Sequence, residues 1–398
     1  MRYRILVVED HPLLLTDTTH TLASLGPHRV DGVSSGTEAL RLLSEVTYDL
    51  VLSDLHMPDI DGLSLIEQWP THAHSPALAL ISSDTLAILS GVSQAAKARG
   101  ISVLGAYTKP FTQRCAQALL RALATHQQQF TAARPPCHTH SNDLLRAALH
   151  TQAIQAWYQP KYSMAEKKIV GVEALARWEH PRLGQLPPSA FLPDIEREAL
   201  HEELLYCMLQ QSIAAQQYWQ ALGHDITVSI NLHTRLLDDL TLPERLYAYV
   251  LAANAKPASI TFELTEHTTT LDTGHYYSGA TRLRMMGFAL SQDDFGTGYS
   301  SFYRLLSTPF TELKLDHSLL HNALNHPHFR TALQSLIRLG NDLGLAVVAE
   351  GVETPQEAEL VQHMGGDIIQ GYVISPPIRH DAVAALLANS CVSPLYAH

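Results

Sequence analysis

Short apolar runs of strand length, closed one after another by a carboxylate, amide or amine, recur in two separate series along this 398-residue chain, with amphipathic helical stretches between them. Alternation of this kind builds parallel sheets. Side chains at the carboxyl ends of the strands then gather into one crevice or one ring. Between the two series lies HQQQFTAARPPCHTHSND, residues 126–143, which has no apolar period and contains the helix-breaking pair Pro135-Pro136. The pattern predicts an α/β unit over residues 1–125, a linker over 126–143 and a larger α/β unit over 144–390. Length alone, at roughly 100–200 residues per domain, allows two or three domains.

Composition narrows the function classes. With 46% hydrophobic and 17% charged residues the chain can bury sizeable cores, which excludes disorder and small stapled scaffolds. Acidic residues outnumber basic ones 39 to 27, for a formal charge of -12, and no block of Lys or Arg interrupts that excess. Such a surface repels DNA. The four cysteines, Cys115, Cys137, Cys207 and Cys391, form no CxxC pair and read as free thiols in a reducing compartment. The apolar run after the N-terminus is too short for a signal peptide, and no run approaches the roughly 20 residues of a membrane span. A cytoplasmic protein with neither a DNA nor a membrane partner is expected. The 23 histidines include no HExxH and no tight ligand spacing, so most of them read as surface or loop residues.

In the first series, strands are predicted at Tyr3–Glu9, Val30–Val33, Tyr48–Ser53, Ala77–Ser82 and Ser102–Tyr107, with helices between and after them. A doubly wound sheet of five βα units places its site at the carboxyl ends of these strands. Glu9 and Asp10, Asp54, Ser82 and Lys109 stand there. Three carboxylates on one edge repel unless a cation intervenes, and oxygen-only ligands suit Mg²⁺. Lys109 would balance the added charge if one carboxylate accepted a phosphoryl group, and Ser82 offers a hydroxyl to the same oxygens. Residues 1 to about 125 therefore resemble the receiver domain of a two-component response regulator. The resemblance implies Asp54, in SDLHMPDIDG, as phosphoacceptor and Glu9 and Asp10 as holders of one Mg²⁺. It also implies Ser82 and Lys109 as the phosphoryl-sensing pair and a sensor histidine kinase as partner. One position departs from the family: Ala106 stands where an aromatic switch residue is usual, with Tyr107 beside it.

In the second series, strands are predicted at Trp157–Tyr162, Ile169–Trp178, Thr227–Leu232, Ser259–Leu264, Phe288–Asp293, Thr311–Asp316, Ala346–Ala349 and Ile368–Ile374. Eight strands in about 250 residues suit a (β/α)₈ TIM-like barrel with its site at the carboxyl face. The closing residues Glu173, Asn231, Glu263, Asp293-Asp294, Lys314 with Asp316, Glu350 and Gln370 would ring one cavity mouth. Alternation along a strand puts Glu173, Leu175 and Arg177 on one face and Lys314 and Asp316 on another. Asp293 and Asp294 are adjacent, so both serve one site only if the strand ends there, which Gly296 and Gly298 would permit. Glu266 is out of phase with Glu263 and reads as a brace for that loop. Carboxylates and Asn without Cys or His select Mg²⁺ or Mn²⁺ over Zn²⁺. Two such ions with an Arg and a Lys facing an anion suit in-line attack on a phosphodiester.

The segments YQPK, EALARW, SINLH, FELTE, DDFGTGYSS, LKLD, AEGVE and QGY follow in order from about Leu144 to Leu387. They resemble the EAL-domain cyclic-di-GMP phosphodiesterases. The resemblance implies a barrel with an antiparallel first strand and a homodimer or higher homo-oligomer. It implies Glu173, Asn231, Glu263 and Asp293 as ligands of a first metal and Asp293 with Asp294 as ligands of a second. Lys314 and Glu350 would orient and deprotonate the attacking water. Asp316, Glu353 and Gln370 would support them, and Gln159 and Arg177 would contact substrate. Two departures lie off the ligand positions: His233 stands where Ser is common and His317 where Arg is common. The expected function is a response regulator that hydrolyses cyclic di-GMP to linear pGpG under control of Asp54 phosphorylation. The alternative is a non-catalytic cyclic-di-GMP receptor or interaction protein.

Overall fold

The computed structural model describes residues 3–69, 75–83, 86–132, 142–265, 272–296 and 302–388, and the chain divides into two compact units, Met1–Cys137 and His138–His398. Each unit has its own hydrophobic core.

The first unit alternates strands β1 (Arg4–Val8), β2 (Arg29–Val33), β3 (Leu50–Asp54), β4 (Ala77–Ser82) and β5 (Val103–Thr108) with helices α1 (Pro12–Ser24), α2 (Gly36–Glu45), α3 (Gly62–Glu67), α4 (Leu86–Ala98) and α5 (Gln113–Ala132). All five strands are parallel, in the order β2-β1-β3-β4-β5. The order reverses between β1 and β3, which opens a crevice at their carboxyl ends. Strands β3 and β4 are buried throughout, as their unbroken apolar sequences require. Residues Leu6, Val51 and Leu80 pack on one face of the sheet and Ile5, Leu52 and Ala79 on the other. The acid string after β3 divides its labour. Asp59 accepts from the backbone N–H groups of Gly36 and Thr37 at the start of α2, and Asp61 accepts from Ser64 N at the start of α3. Only Asp54 of that string is left to the crevice.

The second unit opens with α6 (Asn142–His150) and then a long antiparallel pair, β6 (Ile154–Ser163) and β7 (Lys168–His180), to which the three-residue β8 (Gly184–Leu186) adds. Helices α7 (Leu192–Arg197) and α8 (His201–Ala221) lead to β9 (Thr227–Asn231), α9 (Leu242–Ala252) and β10 (Ile260–Leu264). There follow α10 (Thr273–Met285), β11 (Ala289–Phe295), α11 (Phe302–Ser307), β12 (Glu312–Leu315), α12 (His317–Asn325), α13 (Pro327–Asp342) and β13 (Ala346–Ala349). The unit finishes with α14 (Pro355–His363), β14 (Ile368–Gln370) and α15 (His380–Ala388). Strands β7 and β9 to β14 run parallel, and β6, antiparallel to both β7 and β14, closes an eight-stranded TIM-like barrel. Helices α8, α9, α10 and α13 cover the barrel's apolar outside: Leu209, Leu246, Leu283 and Ile337 are fully buried against it.

The expected strands fall within a few residues of the observed ones, with two informative differences. The last strand stops at Gln370, short of Ile374, because Gly371 meets the backbone of Val352. A Cβ at Gly371 would lie 2.1 Å from the Val352 carbonyl oxygen, and Val373 N donates back to that oxygen at 3.0 Å. Strand β11 runs on to Phe295 and does not end at Asp293. A register shift between Gln292 and Phe295 bulges the strand, and Asp294 takes a left-handed φ of +53°. The bulge performs the turn that a strand end was expected to supply. Among the described residues no helix is long and apolar enough to cross a membrane.

Candidate active site

At the crevice of the first unit, oxygens of Glu9, Asp10 and Asp54 lie within 4.8 Å of one another. Glu9 and Asp54 are buried, and Lys109 Nζ bridges them at 2.8 Å to each. Burial alone would lower the Lys109 pKa, but the two carboxylates outweigh it and hold the ammonium charged. Asp54 Oδ1 accepts from the backbone N–H groups of Leu55 at 2.6 Å and His56 at 3.3 Å, so Oδ2 alone meets the lysine. Ser82 ends β4, and its carbonyl accepts from Lys109 N at 3.0 Å. Ala106 is exposed, whereas Tyr107 packs edge-on against Phe111 with ring centroids 5.6 Å apart.

Inside the barrel, buried polar side chains from several strands meet. Lys314 Nζ on β12 lies 3.2 Å from Glu173, 2.9 Å from Glu263, 2.9 Å from Asp293 and 2.8 Å from Glu350. An ammonium has three protons, so it cannot satisfy four carboxylates. Glu173 also accepts from Asn231 Nδ2 at 3.3 Å and from Gln370 Nε2 at 2.6 Å, and Gln370 Nε2 reaches Gln159 Oε1 at 3.2 Å. Oxygens of Asp293, Asp294 and Glu350 fall within 4.8 Å of one another, which the left-handed Asp294 makes possible. Leu175 and Arg177 continue the face of Glu173 along β7, opposite Trp157 and Gln155, and Arg177 Nη1 donates to the Ala176 carbonyl at 2.8 Å.

Two sequence-predicted residues also serve the local structure of the helices that follow them. Asp316 lies just past β12 as the N-cap of α12, accepting from Ser318 N at 2.9 Å. Glu353 is exposed, and its backbone N donates to Glu357 within the capping box that starts α14. Glu266 and residues 297–301 of the DDFGTGYSS segment lie outside the described residues.

One participant escaped the sequence reading. Lys161 on β6 is 3% exposed, and its Nζ contacts Ser229 at 2.8 Å, Glu263 Oε1 at 3.1 Å and Glu312 at 2.7 Å. Glu263 thus gives one oxygen to Lys161 and the other to Lys314. The parity that pairs Lys314 with Asp316 also puts Lys161 on the face of Gln159, so the signal was present in YQPK.

These contacts set the electrostatics. Two ammonium groups, Lys161 and Lys314, face five carboxylates: Glu173, Glu263, Asp293, Glu312 and Glu350. Burial would raise Glu263, yet the lysines on either side hold it down at about 2. Burial, then repulsion from Glu263, pushes Glu173 up to about 7, and burial likewise raises Asp293 and Glu350. A cluster of buried oxygens with more negative charge than its lysines can neutralise fits a hard divalent cation.

With this geometry in place, the relatives can be compared. The EAL domain family matches residues 142–377, and the response regulator receiver domain family matches residues 5–121. Cyclic di-GMP phosphodiesterase RocR of Pseudomonas aeruginosa is 30% identical over 379 residues, covering 94% of this chain and 96% of RocR. Cyclic di-GMP phosphodiesterase PA2567 of the same organism is 34% identical over 221 residues, covering 56% of this chain and 38% of that protein. The solved PaMucR phosphodiesterase in complex with c-di-GMP is 31% identical, covers 60% of this chain and 97% of that one, and superposes with a TM-score of 0.56. This chain belongs to the EAL-domain family and carries a response regulator receiver domain ahead of the EAL barrel.

Lys161→Met would leave Glu263 and Glu312 buried against one ammonium fewer. Removing one partner of a buried ion pair costs about 3–5 kcal/mol, so urea unfolding of the barrel should shift by that order. Glu312→Gln added to it should restore part of the loss. A shift below about 1 kcal/mol would show that Lys161 does not neutralise the barrel interior.

Proposed function

We propose that this protein is a response regulator that hydrolyses cyclic di-GMP to linear pGpG under the control of phosphorylation at Asp54. The observation that carries the reading is the convergence of Glu173, Asn231, Glu263, Asp293, Asp294, Lys314 and Glu350 in one cluster inside the barrel. The extended relationship to RocR, across both units, supports it.

In this reading Glu173, Asn231, Glu263 and Asp293 would hold one Mg²⁺ or Mn²⁺, and Asp293 with Asp294 a second. Such ions supply Lewis acidity to a phosphoryl oxygen and lower the pKa of bound water. The chain's own groups do the rest. Glu350, raised by burial, accepts the proton of the attacking water, and Lys314 positions Glu350 through the contact at 2.8 Å. Lys161 and Lys314 fix both oxygens of Glu263. Arg177 and Gln159 border the cavity on β7 and β6, where they suit the charged and polar edges of a dinucleotide. Gln370 orients Glu173 and Gln159 together.

In the receiver unit, Glu9 and Asp10 would hold one Mg²⁺ beside Asp54. Lys109, already between Glu9 and Asp54, neutralises charge added by a phosphoryl group from a sensor histidine kinase. The protein acts in the cytoplasm as a homodimer or higher homo-oligomer, with no DNA or membrane partner, as its acidic surface and its family resemblance suggest.

Purified protein with Mg²⁺ or Mn²⁺ should convert cyclic di-GMP to pGpG, and chelation should abolish the reaction. Glu350→Gln should bind cyclic di-GMP but turn it over roughly 10²–10⁴-fold more slowly. Binding without turnover by the parent protein would instead make the barrel a receptor.

Acetyl phosphate should label the parent on one residue, and Asp54→Asn should abolish that label. Mass spectrometry of the intact protein reads both. Undiminished labelling of Asp54→Asn would remove Asp54 as the acceptor.

A further inference from the structure

Away from both acidic sites, three side chains that the sequence scatters meet at the edge of the barrel. Glu196 comes from α7, His201 opens α8, and His233 follows β9 and precedes the 3-10 turn Thr234–Asp238. The histidines therefore do not all read as isolated surface or loop residues. We propose that Glu196, His201 and His233 form a binding site for one divalent transition-metal ion of the zinc class, separate from the metal sites of the proposed reaction.

The geometry is that of three ligands converging. His201 Nε2 and His233 Nε2 each lie 3.8 Å from the same oxygen, Glu196 Oε2, and the ligand atoms of the three residues fall within 4.8 Å of one another. Tetrahedral zinc, with Zn–N of about 2.0–2.1 Å, spaces its ligands roughly 3.3–3.4 Å apart. Glu196 is 54% exposed in its side chain and can close the remaining few tenths of an ångström by rotation. Arg235 engages the other carboxylate oxygen at 3.9 Å, leaving Oε2 directed at the imidazoles.

One feature of the imidazoles points to an ion. Their rings lie against each other, with centroids 3.9 Å apart, which keeps both Nε2 atoms on the same side as Glu196. Both ring nitrogens of His233 are buried and have no hydrogen-bond partner among the described residues. An imidazole must offer at least one N–H, and burying such a group unpaired is unfavourable. A metal bound at Nε2 turns that nitrogen from an orphan into a ligand. The side chains of His201 and His233 are only 17% and 15% exposed, so the site is walled on the protein side and open at Glu196.

Two imidazoles and one carboxylate, with room for water at the open side, are the ligand set of a zinc-class ion. Mg²⁺ prefers oxygen and keeps its waters, so it should not compete. An ion here would tie α7, the start of α8 and the end of β9 together, two residues beyond Asn231.

The test uses untagged full-length protein saturated with Mg²⁺ and dialysed against increasing Zn²⁺, with bound metal counted by elemental analysis. Other histidines bind zinc equally in parent and variants, so the difference isolates this site. The parent should hold one more tight equivalent than either Glu196→Gln or His201→Ala, and Zn²⁺ should raise the Tm of the parent more than that of the variants. Co²⁺ in place of Zn²⁺ should give the parent a visible d–d band that both variants lack. Glu196→Gln changes an exposed side chain, so it keeps the comparison valid if His201→Ala misfolds. Equal zinc content and equal cobalt spectra in the parent and Glu196→Gln would overturn the proposal.

Discussion

Two lysines hold the inside of the EAL barrel together, and they are outnumbered. Lys314 contacts four carboxylates and Lys161 two, with Glu263 shared between them. An apolar barrel interior would fill itself with branched side chains and leave no chemistry inside. Here the inward positions of β6, β7, β9, β10, β11 and β12 carry Lys161, Glu173, Ser229, Glu263, Ser291 and Lys314, all buried. The remaining stability comes from the outside of the barrel, where strands and helices share one apolar core. The site is an ionic interior clamped by a hydrophobic jacket.

That arrangement is costly to the fold. Glu173 has its pKa raised from 4.5 to about 7, so between those values the folded chain holds a proton that an unfolded one releases. Stability contributed by such a group falls as pH rises through that window. At neutral pH the carboxylates repel, and a bound cation would take the place of the missing protons. Strain of this sort is what a metal-binding site stores: ligands held close before the ion arrives need little reorganisation when it does. Asp294 shows the same logic in the backbone. Its left-handed φ and the bulge in β11 bring two adjacent carboxylates to one side, at a cost that Asp tolerates better than most residues.

Much of this was legible in the sequence, and the reason is simple. A parallel strand advertises its carboxyl end by the polar residue that stops the apolar run, and strand parity tells which neighbours share its face. That logic located Glu9, Asp54 and Lys109 in one unit and Glu173, Glu263, Asp293, Lys314 and Glu350 in the other. It failed where tertiary contact or local backbone decides. Nothing in DDFG distinguishes a bulge from a strand end, and nothing in LKLD shows that Asp316 also caps the helix that follows. Lys161 was overlooked although its parity with Gln159 in YQPK puts the two on one face. Glu196, His201 and His233 carry no spacing signal, since three separate elements bring them together.

The central claim is that the barrel's excess negative charge is a cation site held ready. Calorimetric titration of Mn²⁺ into the protein, in two buffers of different protonation enthalpy at pH 6.5 and pH 8, measures protons displaced per ion bound. Because burial and repulsion from Glu263 push Glu173 up to about 7, it carries a proton at pH 6.5 that the ion must expel. The account predicts proton release at pH 6.5, less at pH 8, and tighter Mn²⁺ binding at the higher pH. Mn²⁺ affinity that does not change with pH, with no protons released, would contradict it.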